Sequence, residues 1–335
     1  MAETMRAVGY RKPLPSSDPA SLEDLEVPVP EPGPRDLLVR VEAVSVNPVD
    51  VKVRASSDPG PGPKILGYDA AGTVVATGTD VTLFSPGDEV YYAGSIARPG
   101  TDAQFHVVDE RITGHKPRSL TFAQAAALPL TTITAWEALF DRLRLNPESS
   151  GVLVVLGAAG GVGSMVTQLT RALTRVVVIG TASRPESQQW VLNLGAHHVI
   201  NHHDLAGGVR GITPDGVTHI FSAHTAGSIG DFAEILRPYG AIVAIDDPQG
   251  LDITPLKNKS ISFSWEYMFT RPLYQPPDMV EQHELLDRVA GMADEGTIRT
   301  TLTQELGPIS AATLREAHRL VEQGRMTGKV VVAGW

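Results

Sequence analysis

This sequence predicts an α/β fold, a doubly wound parallel sheet joined to a second, β-rich part, and three observations carry the prediction. A run of apolar and β-branched residues, Val152-Leu153-Val154-Val155-Leu156, feeds directly into Gly157-Ala158-Ala159-Gly160-Gly161-Val162-Gly163. The segment from Val162 to Leu173 then sets Val162, Met165, Val166 and Leu169 at helical spacing. A second β-type run from Arg175 to Gly180 completes a βαβ unit over 152–180, the expected length of about 30 residues.

The order of strand, tight glycine turn and helix has a chemical consequence. Backbone N–H groups at a helix N-terminus, here those of Ala159, Gly160, Gly161 and Val162, can approach a pyrophosphate closely. Ala158 stands where the first glycine of G-x-G-x-x-G is usual, so the flanking strand and helix carry the specificity. An ordinary glycine-rich βα turn is the competing reading. In a site that prefers NAD, an acid ends the next strand, about 20 residues past the glycines, and binds the ribose 2′-hydroxyl. Here that strand ends in Thr181-Ala182-Ser183-Arg184, with no acid before Glu186. Arg184 offers a planar cation suited to a 2′-phosphate, so NADP(H) is the expected cofactor. The alternative for Arg184 is a solvated residue leading a helix beside Pro185.

Length and composition frame the rest. A chain of 335 residues exceeds what one core usually organises, so two domains are expected. The apolar fraction of 42% is ample for them. A net charge of −10 and a pI near 5.5 argue against nucleic acid or an anionic membrane as partner, leaving a small-molecule substrate. No run of about 18 apolar residues and no signal-peptide core is present, so a cytoplasmic location is expected. The absence of cysteine removes disulfides, thiol nucleophiles and thiolate metal ligands together.

Along the chain, residues 1–125 alternate short β-type runs (37–41, 72–76, 88–92) with turn signals such as Glu31-Pro32-Gly33-Pro34 and Ser85-Pro86-Gly87-Asp88. That texture predicts an irregular, partly open β-barrel. Residues 122–143 read as helical. Beyond the βαβ unit, strands are expected at 218–222, 241–245 and 260–265, with a helix over 229–236 closed by Gly240. Asp278 and Glu281 predict a capping box ahead of a helix carrying Leu285, Leu286 and Val289. Ser310 is placed to cap a last helix ended by Gly324, and Gly328-Lys329-Val330-Val331-Val332 reads as a closing strand.

Several of these pieces occur together, in order, in one family. Ser45-Val46-Asn47-Pro48-Val49-Asp50, Gly67-Tyr68-Asp69-Ala70-Ala71-Gly72, Gly87-Asp88-Glu89-Val90, Leu128-Pro129-Leu130-Thr131-Thr132, the glycine turn, Leu194-Gly195-Ala196 and Gly328-Lys329 span nearly the whole chain. The sequence resembles the medium-chain dehydrogenase/reductase superfamily and, within it, the zinc-free quinone oxidoreductase-like branch. Residues 259–271 look like a subgroup often labelled zinc-type alcohol dehydrogenase-like. The resemblance implies a GroES-like catalytic domain over 1–125, a Rossmann NADP-binding domain over 126–272 and a return to the catalytic domain over 273–335. It also implies an active site in the cleft between them and a homodimer formed through the Rossmann sheets, for which 260–265 has the character of an edge strand.

The zinc label conflicts with the residues. Zinc members use a Cys, the His of a Gly-His-Glu motif and a further Cys or acid, and carry a four-Cys lobe. Here the motif reads Gly67-Tyr68-Asp69, Asn47 stands near the first ligand position, and no metal site is expected. His197-His198 and His202-His203 lie beyond the second βα unit, and adjacent histidines on a strand point to opposite faces. Zinc alcohol dehydrogenase chemistry is therefore disfavoured. The expected reaction is hydride transfer from NADPH to a quinone or similar electron-poor acceptor, which needs little Lewis-acid polarisation.

Tyr68, Tyr92 and Asn47 are the candidate polar groups for that acceptor; each tyrosine could equally be a packed ring with a satisfied hydroxyl, and Asn47 a turn former. For Asp50 a structural hydrogen bond is expected. The resemblance implies that Thr131 or Thr132 lies near the nicotinamide, each being alternatively a helix N-cap, and that Ser183, Arg184 and His202 lie near the 2′-phosphate. His224, Thr225, Asp246 and Asp247 follow strands at the edge where dinucleotides lie. Two other functions fit the same cofactor site: an enone or 2-alkenal reductase, and a non-enzymatic, crystallin-like NADPH-binding protein.

Overall fold

Short apolar runs become strands here wherever alternate side chains find a buried face. In Asp36–Ser45, Leu37, Val39, Val41 and Ala43 are buried while Arg40 between them is exposed. The structure is a computed structural model that describes residues 3–335. It divides into two compact units: one runs to Ile133 and resumes at Phe269, and the other is Thr134–Met268.

In chain order the elements are β1 (Thr4–Tyr10), β2 (Glu23–Pro28), β3 (Asp36–Ser45), α1 (Pro48–Ser56), β4 (Lys64–Ile65), β5 (Ala70–Thr77), β6 (Glu89–Tyr92), β7 (Phe105–Asp109), β8 (Thr113–His115), α2 (Phe122–Ala126) and α3 (Pro129–Trp136). A π-helical turn, Glu137–Arg142, follows α3. Next come β9 (Val152–Val155), α4 (Gly161–Leu173), β10 (Val177–Thr181), α5 (Pro185–Asn193), β11 (His198–Ile200), α6 (Leu205–Ile212), β12 (Val217–Ser222), α7 (Ile229–Ile235), β13 (Leu236–Ala244) and β14 (Ser262–Trp265). The chain closes with α8 (Thr270–Tyr274), α9 (Glu281–Asp294), β15 (Leu302–Leu306), α10 (Ala311–Glu322) and β16 (Lys329–Ala333).

The first unit holds a seven-stranded sheet in the order β15-β16-β3-β5-β6-β8, with β7 also on β3, and a three-stranded sheet β2-β1-β4. Its last strand pairs antiparallel with β3, Val331 opposite Ser45, which brings the end of the chain back beside Asn47. The second unit is a six-stranded parallel sheet in the order β11-β10-β9-β12-β13-β14, the doubly wound arrangement. Its core is made of Val154, Ile179, Ile220, Ile242 and Phe232, all fully buried. The fold is thus a Rossmann sheet plus a GroES-like β domain. No helix among the described residues is long and apolar enough to cross a membrane.

Four expectations about elements are corrected. The helical stretch 122–143 is broken at Ala127-Leu128 and ends as a π-helix. The helix expected over 229–236 stops at Ile235, because Leu236 is buried in the sheet, where it pairs with Val217. Gly240 therefore lies inside β13 rather than closing a helix. Asp278 does not cap α9: its carboxylate takes Arg271 Nη2 at 2.9 Å, and the helix begins at Glu281 without a side-chain cap. The last strand of the sheet starts at Ser262, since Ser260 has φ 50° and ends a 3₁₀ turn. Ser310, by contrast, caps α10 as expected, its hydroxyl accepting Thr313 N–H at 3.2 Å.

Candidate active site

The nucleotide-binding edge lies at the C-terminal ends of the parallel strands. β9 stops at Val155, and Gly157 turns the chain at φ 74°, a conformation that glycine adopts without cost. Gly160 is the N-cap of α4 and supplies no side-chain cap, so the first N–H groups of the helix are left for an anion. A Cβ on Gly163 would lie 2.3 Å from the Gly157 carbonyl oxygen, so the closeness of turn to helix excludes any side chain there. Ala159, Gly160, Gly161 and Val162 are each half-buried, and the Gly157 N–H donates to Thr181 Oγ1 at 3.1 Å, tying the turn to the end of β10.

Just past β10, Ser183 is exposed, and the Arg184 side chain is 42% exposed with Nε 3.6 Å from Glu186 Oε1. An ion pair that long and exposed is weak, and the guanidinium remains reachable by phosphate. His202 is exposed, its ring 4.1 Å from that of His203. Burial, then His203 and His224, hold its imidazole below the usual value. Asp246 clamps Thr225: its two carboxylate oxygens take the Thr225 N–H and hydroxyl, each at 2.6 Å, and the same hydroxyl lies 2.9 Å from Ser222 Oγ. The acid that follows β13 thus holds the loop that follows β12. The structure brings the glycine turn, Ser183, Arg184, Thr225 and Asp246 to one edge of one sheet, and these residues fit a dinucleotide.

The first unit contains a buried polar wall. Asn47 N-caps α1 through a capping box with Asp50, and its N–H donates to Asp50 Oδ2 at 2.7 Å. Asp50 Oδ1 accepts Gly67 N–H at 3.1 Å. The Asn47 amide donates to Asp69 Oδ2 at 2.7 Å, and Asp69 Oδ1 accepts Leu130 N–H at 2.7 Å. Lys329 Nζ donates to Asp69 Oδ2 at 3.1 Å, to the Val46 carbonyl at 3.1 Å and to Asn47 Oδ1. Burial pushes Asp50 up to about 7, against the pull of Asn47 N–H and Lys329. It also pushes Asp69 up, while Lys329, Asn47 and Leu130 oppose it. Asp102, buried next to Asp50, is raised well above the carboxylate range.

Of the sequence candidates, Asn47 belongs to this wall, and Tyr68 immediately precedes its Asp69 in the chain. Tyr68 is fully buried, edge-on to Phe269 with ring centroids 5.3 Å apart. Tyr92 is also fully buried, and its hydroxyl lies 3.2 Å from His106 Nδ1, the arrangement of a packed ring with a satisfied hydroxyl. Neither Thr131 nor Thr132 is an N-cap. Both lie within the first turn of α3, where Thr131 Oγ1 donates back to the Leu128 carbonyl at 3.0 Å and the buried Thr132 Oγ1 has no hydrogen-bond partner. Sequence reasoning missed the pairing at the centre of the wall. Asp69 was noted only as part of a motif, and its cation lies 260 positions away, beyond the reach of any local pattern.

Fold and nucleotide edge together define an oxidoreductase that uses a nicotinamide dinucleotide. The alcohol dehydrogenase GroES-like domain family matches residues 33–135, and the zinc-binding dehydrogenase family matches 194–332. A Staphylococcus aureus (strain COL) zinc-type alcohol dehydrogenase-like protein is 40% identical over 98% of this chain and 99% of its own. The Triphysaria versicolor chloroplastic quinone-oxidoreductase QR1 is 30% identical over 93% of this chain and 94% of its own. A Rhizobium etli CFN 42 protein, solved under the description of a zinc-dependent alcohol dehydrogenase, superposes with TM-score 0.97 at 53% identity, covering 100% of this chain and 99% of that one. The chain belongs to the medium-chain dehydrogenase/reductase superfamily, in the group named zinc-type alcohol dehydrogenase-like.

The zinc in those names does not fit the donors present here. Asn47, Tyr68 and Asp69 offer an amide, a phenol and one carboxylate, and an ammonium already occupies the Asp69 oxygen that a metal would need. Structural and catalytic zinc sites are built from thiolates, imidazoles and carboxylates. No group of three or more His, Asp or Glu among the described residues is arranged to hold a metal.

Proposed function

We propose that this protein is an NADPH-dependent reductase that passes hydride to quinones or comparably electron-poor acceptors without zinc. The observation that carries the reading is the end of β10, where Ser183 and the half-exposed Arg184 replace the acid that would bind a ribose hydroxyl. Bound NADPH supplies the hydride. The N–H groups at the start of α4 hold the pyrophosphate, and Arg184, Ser183 and His202 take the 2′-phosphate. Thr225 and Asp246 shape the loop that follows β12 at that edge.

The acceptor class follows from the polar wall. Its one neutral side-chain donor is Asn47, set among buried carboxyls and an ammonium whose three N–H bonds are already spent on Val46, Asn47 and Asp69. Such a wall cannot polarise an unactivated carbonyl as a metal would, an effect worth several kcal/mol. An acceptor whose product anion is delocalised relaxes that demand, and the neutral donors assigned to it are Tyr68 and Asn47, whose Nδ2 would give up its long 3.4 Å bond to the Ser45 carbonyl. The relatives named for quinone oxidation and reduction support this reading.

A panel of quinones, enals and primary alcohols, each with NADPH and NADH, tests the proposal. Turnover is expected to be fastest with a quinone and NADPH, and to survive a chelator. Faster oxidation of simple alcohols than reduction of any quinone would overturn it. Turnover of none, with NADPH binding intact, would replace it with a binding function.

A further inference from the structure

The buried wall holds three carboxyls, Asp50, Asp69 and Asp102, and a single cation, Lys329. All four side chains are nine-tenths buried or more. A buried ammonium is costly unless every donor is used, and this one uses all three. Its acceptors are on different elements: the Val46 carbonyl and Asn47 amide before α1, and the carboxylate of Asp69 before β5. Asp69 in turn accepts the Leu130 N–H in the first turn of α3, the turn that carries Thr131 and Thr132. One side chain on the last strand thus controls two segments that the proposed reaction uses.

We propose that Lys329 is a positioning residue: its ammonium is the internal counter-ion that orients the Asn47 amide and, through Asp69, the first turn of α3. This inference rests on the acceptor reduction proposed above. Lys329 touches no acceptor, since its N–H bonds are all spent inside the wall. Its effect reaches the reaction through Asn47, whose Oδ1 takes the ammonium while its Nδ2 faces Asp69 at 2.7 Å and the Ser45 carbonyl at 3.4 Å. Without the cation, Asn47 loses the donor that selects its amide orientation, and Asp69 loses its counter-charge. The groups facing Asp69 would then be Asn47, the Leu130 N–H and the neighbouring Asp50, with Asp102 behind it. None of these is a cation, so the burial that already raises Asp69 would go unopposed by any positive charge, and Asp50 would rise with it.

The test compares K329M and the double variant K329M/D69N with the intact protein, using whichever acceptor the intact protein reduces best. K329M is expected to lose roughly 10–100-fold in kcat/KM, the scale of a small misplacement of a reacting group. NADPH affinity, read by fluorescence titration, should stay within about twofold, because the first helix turn of α4 and Arg184 are untouched. Its pH–rate profile should shift to higher pH, and its infrared spectrum at neutral pH should gain a protonated-carboxyl band beyond the one Asp50 gives the intact protein. The double variant removes the uncompensated charge, so it should fold even where K329M does not. It should lose the Asp69 part of that band, keep the Asp50 part, and stay slow, since Asn47 still lacks the Lys329 donor. Full turnover in either variant, or a K329M spectrum without the new band, would overturn the proposal. If the intact protein reduces no acceptor, the functional reading fails, while the infrared comparison still decides whether Lys329 keeps Asp69 charged.

Discussion

At the scale of single residues, chemistry at the nucleotide edge is set by what stands at the end of β10. A charge-assisted contact between guanidinium and phosphate contributes about 1.5–3 kcal/mol. Arg184→Ala is therefore expected to weaken NADPH binding roughly 10–100-fold, by that same conversion, and leave NADH binding nearly unchanged. Titration of both cofactors against both proteins checks it, and equal affinities in the intact protein would refute the assignment. Asp50 makes a second prediction, about stability. Its carboxyl is pushed up to about 7 in the folded protein, whereas the unfolded chain loses that proton near about 3.9. The folded state thus holds the extra proton. The stability from this group is complete at acid pH and drains away as pH rises through about 7. Denaturation midpoints measured from pH 4 to 8 should fall less steeply in Asp50→Asn than in the intact protein. Parallel slopes would show that Asp50 titrates normally.

At the scale of elements, the sequence was most legible where one local rule decides the outcome. The βαβ unit follows from apolar periodicity and a glycine turn, and β9, α4 and β10 begin and end within two residues of expectation. The cap at Ser310 was legible for the same reason. Elsewhere a tertiary partner outbid the local signal: Leu236 left its helix for a place beside Val217, and Asp278 left its cap for Arg271. The polar wall was half legible. Asn47 could be named from its motif, but the cation that satisfies it and Asp69 arrives on β16, and only folding joins them. Asp246 had no explanation in the sequence, because its partner Thr225 lies 21 residues earlier in a loop that no periodicity describes.

At the scale of the molecule, β14 ends the parallel sheet with an open edge. Trp265 on it is 49% exposed and packs edge-on against Phe263. A bare edge carrying an aromatic invites pairing with a second copy, and a closed two-fold dimer covers both edges at once. Light scattering at micromolar concentration is expected to give twice the chain mass of 35.7 kDa. A mass of one chain would remove the dimer.

The placement of Lys329 also bears on how the protein comes into being. The dinucleotide-binding unit is one unbroken stretch, Thr134–Met268, whereas the other unit is interrupted by it. A ribosome delivers the first stretch entire while the second still waits for its final strand. Until β16 emerges, Asp69 and its neighbouring acids have no ammonium to meet, and the nascent β domain carries their charge in water. The parallel-sheet half can therefore settle early in synthesis, and the β-rich half closes only when β16 slides in beside β3.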